Sequence, residues 1–173
     1  MTIDTNIEFI SCKICILTIS DSRKEKNDES GDLLEKKLTE SGHRLYKRAI
    51  VVDEINDIVN KLKEWINDPE VNIIITTGGT GITKRDVTPE AINKISDKII
   101  EGFGELFRQI SYNKIGTSTL QSRALACISR NTYIFSIPGS PNACKDAWDE
   151  ILKFQLDNRH KPCNFIELIP RLI

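Results

Sequence analysis

Apolar positions along the chain alternate between two spacings, and the alternation predicts strand and helix in turn. Residues 14–19 are an apolar run that reads as a buried strand, and the charged, turn-forming stretch 20–30 after it reads as a loop. Leu33, Leu34 and Leu38 have helical spacing and Gly42 suits a left-handed cap, so a helix is predicted from Ser30 or Asp32 to Ser41. Residues 44–52 end in Ile50, Val51 and Val52, which predicts a second strand. Asp53 stands where an N-cap belongs, and Ile55, Ile58, Val59, Leu62 and Ile66 mark one face of a helix ending before Pro69. Residues 71–77 carry Ile73, Ile74 and Ile75 in a row, as a central strand buried on both faces does.

The second half opens on Thr88, Pro89 and Glu90: a hydroxyl for the cap, proline at the first helical position and an acid in the first turn. Helices are predicted over 90–100 and roughly 104–112, and a strand over 132–137. Pro138, Gly139, Ser140 and Pro141 then open a last helix whose apolar side carries Ala143, Ala147, Trp148, Ile151 and Leu152. The pattern predicts an α/β fold with three layers, α/β/α, about a mostly parallel sheet. At 173 residues without internal repeats, residues 1–173 are expected to form one domain.

Composition narrows what that domain can do. With 39% hydrophobic and 28% charged residues the chain has the balance of a soluble globular protein. The 24 Lys and Arg nearly cancel the 25 Asp and Glu, so no broad field is available to collect nucleic acid or an anionic membrane, and an anion site must be local. The N-terminal residues carry no secretory pattern and the longest apolar runs are far too short to span a bilayer, so a cytoplasmic protein is expected. Cysteines 12, 15, 127, 144 and 163 are odd in number and scattered, as reduced thiols are. Cys12 and Cys15 form a C-x-x-C, but at the start of a strand and with no second pair or nearby His, so strand packing is favoured over redox or zinc chemistry. His43 and His160 lack a metal-ligand spacing and are expected at the surface or in capping roles.

Ligands of open α/β sheets collect beyond the carboxyl ends of the strands. Four loops fall there: Ser20 and Asp21, Asp53, Thr77-Gly78-Gly79-Thr80-Gly81, and Pro138 to Pro141. Three glycines leave backbone N–H groups unscreened and free to turn toward an anion, with threonine hydroxyls beside them. A turn needing positive φ also fits the spacing, with the anion site the stronger reading. The phosphate-loop pattern G-x-x-x-x-G-K-S/T is absent, and so is the dinucleotide fingerprint, which sets aside nicotinamide-dependent reduction. Asp86 follows Lys84 and Arg85 just past the loop. A carboxylate there suits a magnesium-bridged phosphate or, equally, the start of a turn. The Pro138–Pro141 turn offers Ser140 and free amides, a weak anion pattern; Gly102 to Glu105 reads as a helix boundary, and Ser118, Ser122 and Arg123 as a solvated or interface surface.

Together TISDSR (18 to 23), TTGGTGITKRDVTPEA (76 to 91), GFGELFRQISYNKIGTSTLQSRA (102 to 124) and IPGSPNAC (137 to 144) resemble the MoaB/MogA family of molybdenum cofactor biosynthesis proteins, and the ending QLDNRHKPCNF is similar to its MoaB branch. The resemblance implies a molybdopterin-binding α/β/α domain that assembles as a homotrimer or homohexamer and serves other enzymes of the pathway. In adenylyltransferase members the terminal phosphate of molybdopterin attacks the α-phosphate of Mg-ATP, giving adenylyl-molybdopterin and pyrophosphate. On this footing Asp86 and Asp53 are the catalytic carboxylates, acting through Mg²⁺ and alignment. Ser20, Asp21, Thr77, Gly78, Gly79, Thr80, Gly81, Glu105, Ser118, Pro138, Gly139, Ser140 and Pro141 are the implied binding residues. The competing expectation is a non-catalytic molybdopterin carrier or oligomeric scaffold. Retention of both aspartates favours the enzyme.

Overall fold

The computed structural model describes residues 2–172. A short strand β1 (Thr2–Ile3) precedes β2 (Lys13–Ile19), and α1 (Glu29–Glu40) leads to β3 (Arg44–Val51). Helix α2 (Ile55–Ile66), strand β4 (Ile73–Thr77), helix α3 (Thr88–Asn93), strand β5 (Lys98–Ile100) and helix α4 (Glu101–Ile115) follow. A β6 (Leu125–Ser129) and β7 (Thr132–Ile137) hairpin leads into α5 (Pro141–Ala147), which continues through a π turn to Gln155, and β8 (His160–Lys161) pairs back with β1.

The main sheet has the order β3-β2-β4-β7-β6-β5. Strands β3, β2, β4 and β7 run parallel, and β6 runs antiparallel to both of its neighbours, β7 and β5. Its two faces explain the runs of isoleucine, because alternate residues must enter opposite cores. Ile14, Ile16, Ile73, Ile75 and Phe135 pack with α1, α4 and α5, while Cys15, Leu17, Ile74 and Ile134 pack with α2 and α3. Helices therefore cover both faces, and the α/β/α expectation holds. Chain progression reverses between β2 and β4, which places a switch point at Ile19 and Thr77, the crevice where ligands of such sheets bind.

Several local expectations are corrected. The helix predicted over 90–100 stops at Asn93, and Lys98–Ile100 becomes an edge strand against β6 because Asp97 donates its N–H to the Ile128 carbonyl at 2.8 Å and the ladder continues from there. Sheet pairing outweighs the helical spacing of Ile92, Ile95 and Ile99. Strand β6, in residues for which no element is predicted, fills the gap between β7 and β5. Asp53 is not the cap of α2; Glu54 holds that position and makes no side-chain cap bond. Thr88 is the first helical residue and not the cap, and its hydroxyl donates to the Gly78 carbonyl at 2.9 Å.

His43 and His160, expected at the surface or in capping roles, are buried. The Cys12 N–H donates to His43 Nδ1 at 3.3 Å, and the ring packs between Phe9 and Trp148. Burial pushes the His43 imidazole from 6.5 down to about 4, against the opposing pull of Asp157. The folded state thus refuses a proton that the unfolded chain accepts. The stabilisation is complete above the unfolded value and drains away as pH falls toward the folded one. Urea unfolding is expected to show about 2–3 kcal/mol less stability from this group at about pH 4.5 than at about pH 7.5. His43→Gln should flatten that slope, and an unchanged slope would contradict the assignment.

Candidate functional site

The chain leaves β4 at Thr77 and must turn at once, because β2 and β7 stand on either side. Gly78 turns it with φ 106° and donates its N–H to the Ile137 carbonyl at 3.0 Å. A Cβ there would lie 2.1 Å from the Ile19 carbonyl oxygen, so only glycine fits. Gly79 has φ 63°, and its missing Cβ leaves room for the Thr88 hydroxyl and the Asp53 carboxylate. A Cβ on Gly81 would meet the Asp86 carboxylate at 2.7 Å. The positive-φ turn is compatible with an anion site, since it leaves the N–H groups of Gly79 and Thr80 with no acceptor among the described residues.

Arg123 holds this loop in place. Its backbone N–H donates to the Thr80 carbonyl at 2.8 Å, its Nε to the Gly81 carbonyl at 2.6 Å, and its guanidinium also reaches the Asp86 carbonyl and Glu90. Arg123, expected on a solvated or interface surface, is thus part of the loop's support, and nothing in the spacing ties it to a loop some forty residues away. The Pro138–Pro141 turn closes against Gly78, where a Cβ on Gly139 would lie 3.2 Å from the Gly78 Cα. Ser140 caps α5, its hydroxyl oxygen accepting from the Ala143 N–H at 3.2 Å.

Between these loops and the α4 side lies a cleft of about 550 Å³. It brings together Ser20, Gly78, Gly79, Thr80, Gly81, Asp86, Ser118, Pro138, Gly139 and Ser140 from the sequence-derived set. Phe107, Ile115 and Ala143 give it an apolar wall suited to a flat ring, and the polar groups sit at the glycine loop. Asp86 and Arg23 are the charged residues lining it, and Arg23 was not among the expected binding residues.

Five expected residues stand elsewhere. Thr77 is fully buried and donates its hydroxyl to the Pro138 carbonyl at 3.1 Å, so it braces the cleft from behind. Glu105 is exposed on α4 and Pro141 forms the first turn of α5, and neither lines the cleft. Asp21 is clamped by Arg85 at 2.8 and 2.9 Å. Asp53 lines a neighbouring depression with Glu54, Lys84 and Arg85, and its N–H donates to Asp21 at 3.1 Å.

The carboxylates differ in poise. The Arg85 guanidinium, helped by the Asp53 N–H, holds Asp21 below the usual carboxylate range. Burial, reinforced by the negative charges of Asp21 and Asp86, pushes Asp53 up. For Asp86 burial acts upward, but the Thr83 hydroxyl at 2.6 Å and the Thr83 N–H at 2.8 Å carry the balance below its ordinary value. Asp86 is thus ionised at neutral pH and presented to the cleft. Among the described residues no group of three or more His, Cys, Asp or Glu side chains is arranged to hold a metal ion, so a cation beside Asp86 would need oxygens from a bound phosphate to complete its shell.

The fold and the sequence both have counterparts among known proteins. The family model described as "Probable molybdopterin binding domain" matches residues 15–158. The chain is 46% identical over 158 residues to Molybdenum cofactor biosynthesis protein B of Escherichia coli, covering 91% of this chain and 93% of that one. A crystal structure of a Molybdenum cofactor biosynthesis protein B superposes with a TM-score of 0.85 at 38% identity, over 94% of this chain and 96% of that chain. The tungsten cofactor synthesizing protein MoaB from Pyrococcus furiosus superposes with a TM-score of 0.74 at 36% identity, over 82% and 91%.

Proposed function

The chain belongs to the MoaB/MogA family of molybdenum cofactor biosynthesis proteins, and we propose that it adenylylates molybdopterin with Mg-ATP at the cleft beneath the glycine loop. One observation carries the reading: the carboxyl ends of β2, β4 and β7 deliver Ser20, the glycine loop and the Gly139–Ser140 turn to one cleft whose carboxylate is Asp86. The pterin lies on the wall of Phe107 and Ile115, and the amides of Gly79 and Thr80 face its phosphate. An oxygen of that phosphate attacks the α-phosphorus of ATP, a new P–O bond forms, the bond to the β-phosphate breaks, and pyrophosphate leaves. The protein's part is alignment and charge neutralisation, since no covalent intermediate is required. Asp86 would hold Mg²⁺ together with nucleotide phosphate oxygens, and the ion would supply charge neutralisation. Asp53 acts from behind Gly79 by fixing the loop. The same reading carries one molybdopterin-binding domain, assembled as a homotrimer or homohexamer in the cytoplasm and handing its product to later enzymes of the pathway.

A second reading, a molybdopterin carrier without turnover, is favoured by the position of Asp53, which lies outside the cleft with its N–H tied to Asp21. Incubating the protein with molybdopterin and Mg-ATP separates the two. Adenylyl-molybdopterin and pyrophosphate in equal amounts are expected. Tight molybdopterin binding with no product would establish the carrier instead.

A further inference from the structure

We propose that Arg23 is the phosphate-recognising residue of the cleft, held in position by the buried Asp28. The inference rests on the molybdopterin reading above and names the group that recognises the ligand's phosphomonoester. Arg23 is the cation lining the cleft, facing it from the loop after β2 while the glycine loop faces it from β4. It also forms the wall between this cleft and an adjoining depression of about 570 Å³, so it stands where the two open spaces meet.

Its position is fixed from three sides. The Arg23 Nη2 donates to the Gly139 carbonyl at 2.6 Å, an oxygen that also accepts from the Ser30 hydroxyl at 2.7 Å. The Arg23 N–H donates to Ser20 Oγ at 3.2 Å. Arg23 Nη1 lies 3.6 Å from Asp28 Oδ1, and Asp28 is completely buried. Asp28 is itself immobilised by the Thr18 hydroxyl at 2.7 Å, the Gly31 N–H at 3.1 Å and Arg48 at 2.8 Å.

The charge balance leaves Arg23 available. Asp28 faces two arginines, but Arg48 is also engaged by Asp32 at 2.7 Å and Glu35 at 2.9 Å, so its charge is more than matched. Arg23 makes no ion pair other than the one with Asp28 among the described residues. A guanidinium has five N–H donors in a planar fork matched to phosphate, and two directions here are taken. Arg23 lines the cleft together with Gly79 and Thr80, whose N–H groups have no acceptor among the described residues. A preorganised cation of this kind discriminates by charge, so removing Arg23 should erase most of the preference for the phosphorylated ligand.

The test compares binding of molybdopterin and of phosphatase-treated molybdopterin by equilibrium dialysis. Wild type is expected to prefer the phosphorylated form by about tenfold to a hundredfold, the range of one charge-assisted hydrogen-bonded contact. Arg23→Gln should lose most of that preference, keeping only the part that the Gly79 and Thr80 amides supply. Arg23→Lys keeps the charge and is expected to hold part of the preference, which guards against taking a misfolded Gln variant for a lost contact. A Gln variant that keeps the full preference overturns the role of Arg23, as does one that weakens Mg-ATP alone. A wild type that binds neither pterin overturns the underlying reading instead.

Discussion

Gly78→Ala is expected to unfold with a stability lower by on the order of 4 kcal/mol and to lose molybdopterin binding altogether. Two costs combine. An alanine at φ 106° carries backbone strain of about 1–3 kcal/mol, and its Cβ would sit 2.1 Å from the Ile19 carbonyl, a backbone atom in the central strand β2 that cannot rotate away. Relieving the clash means moving β4 from β2 or the loop from its place, at an overpacking cost of about 1–3 kcal/mol more. Because Gly78 also donates to the Ile137 carbonyl and packs on Gly139, the shift spreads to the turn that forms the opposite wall of the cleft. Urea unfolding with a binding titration checks both halves. A variant of wild-type stability and affinity would mean that the loop conformation described here is wrong.

Asp86→Asn is expected to behave in the opposite way: little change in stability, molybdopterin bound as tightly as before or slightly more tightly, and adenylylation slower by about a hundredfold or more. The asparagine carbonyl can still accept from the Thr83 N–H and hydroxyl, so the turn survives. Removing a negative charge from beside an anionic ligand removes repulsion in the ground state. What is lost is the carboxylate that aligns the cation and nucleotide. Measured as kcat and KM separately, the loss should fall on kcat. Loss confined to KM would mark Asp86 as a binding group, and wild-type turnover would remove it from the reaction.

The parts of this site that could be read from the sequence are those set by local covalent geometry. Gly78 and Gly79 announced a positive-φ turn, Ser140 before Pro141 announced a capped helix, and the isoleucine run announced a strand with both faces covered. Each of these is decided within a few residues. The roles of Arg23, Arg123 and Asp28 are not legible in the sequence because they depend on partners far along the chain: Arg23 on Gly139, Arg123 on Gly81, Asp28 on Arg48. The end of the stretch 90–100, misassigned past Asn93, fails for the same reason, since the distant β6 makes Lys98–Ile100 a strand. Asp53 is an intermediate case. Its place after β3 was legible, but not that the Gly79 gap would admit its carboxylate from behind the loop.

A crystal structure of the protein with molybdopterin bound tests the central claim most directly. The pterin should lie between Phe107 and the glycine loop, with its phosphate within hydrogen-bond reach of the Gly79 and Thr80 amides. Density for the ligand anywhere else, with the cleft between Gly78–Gly81 and Ser140 left to solvent, would contradict it.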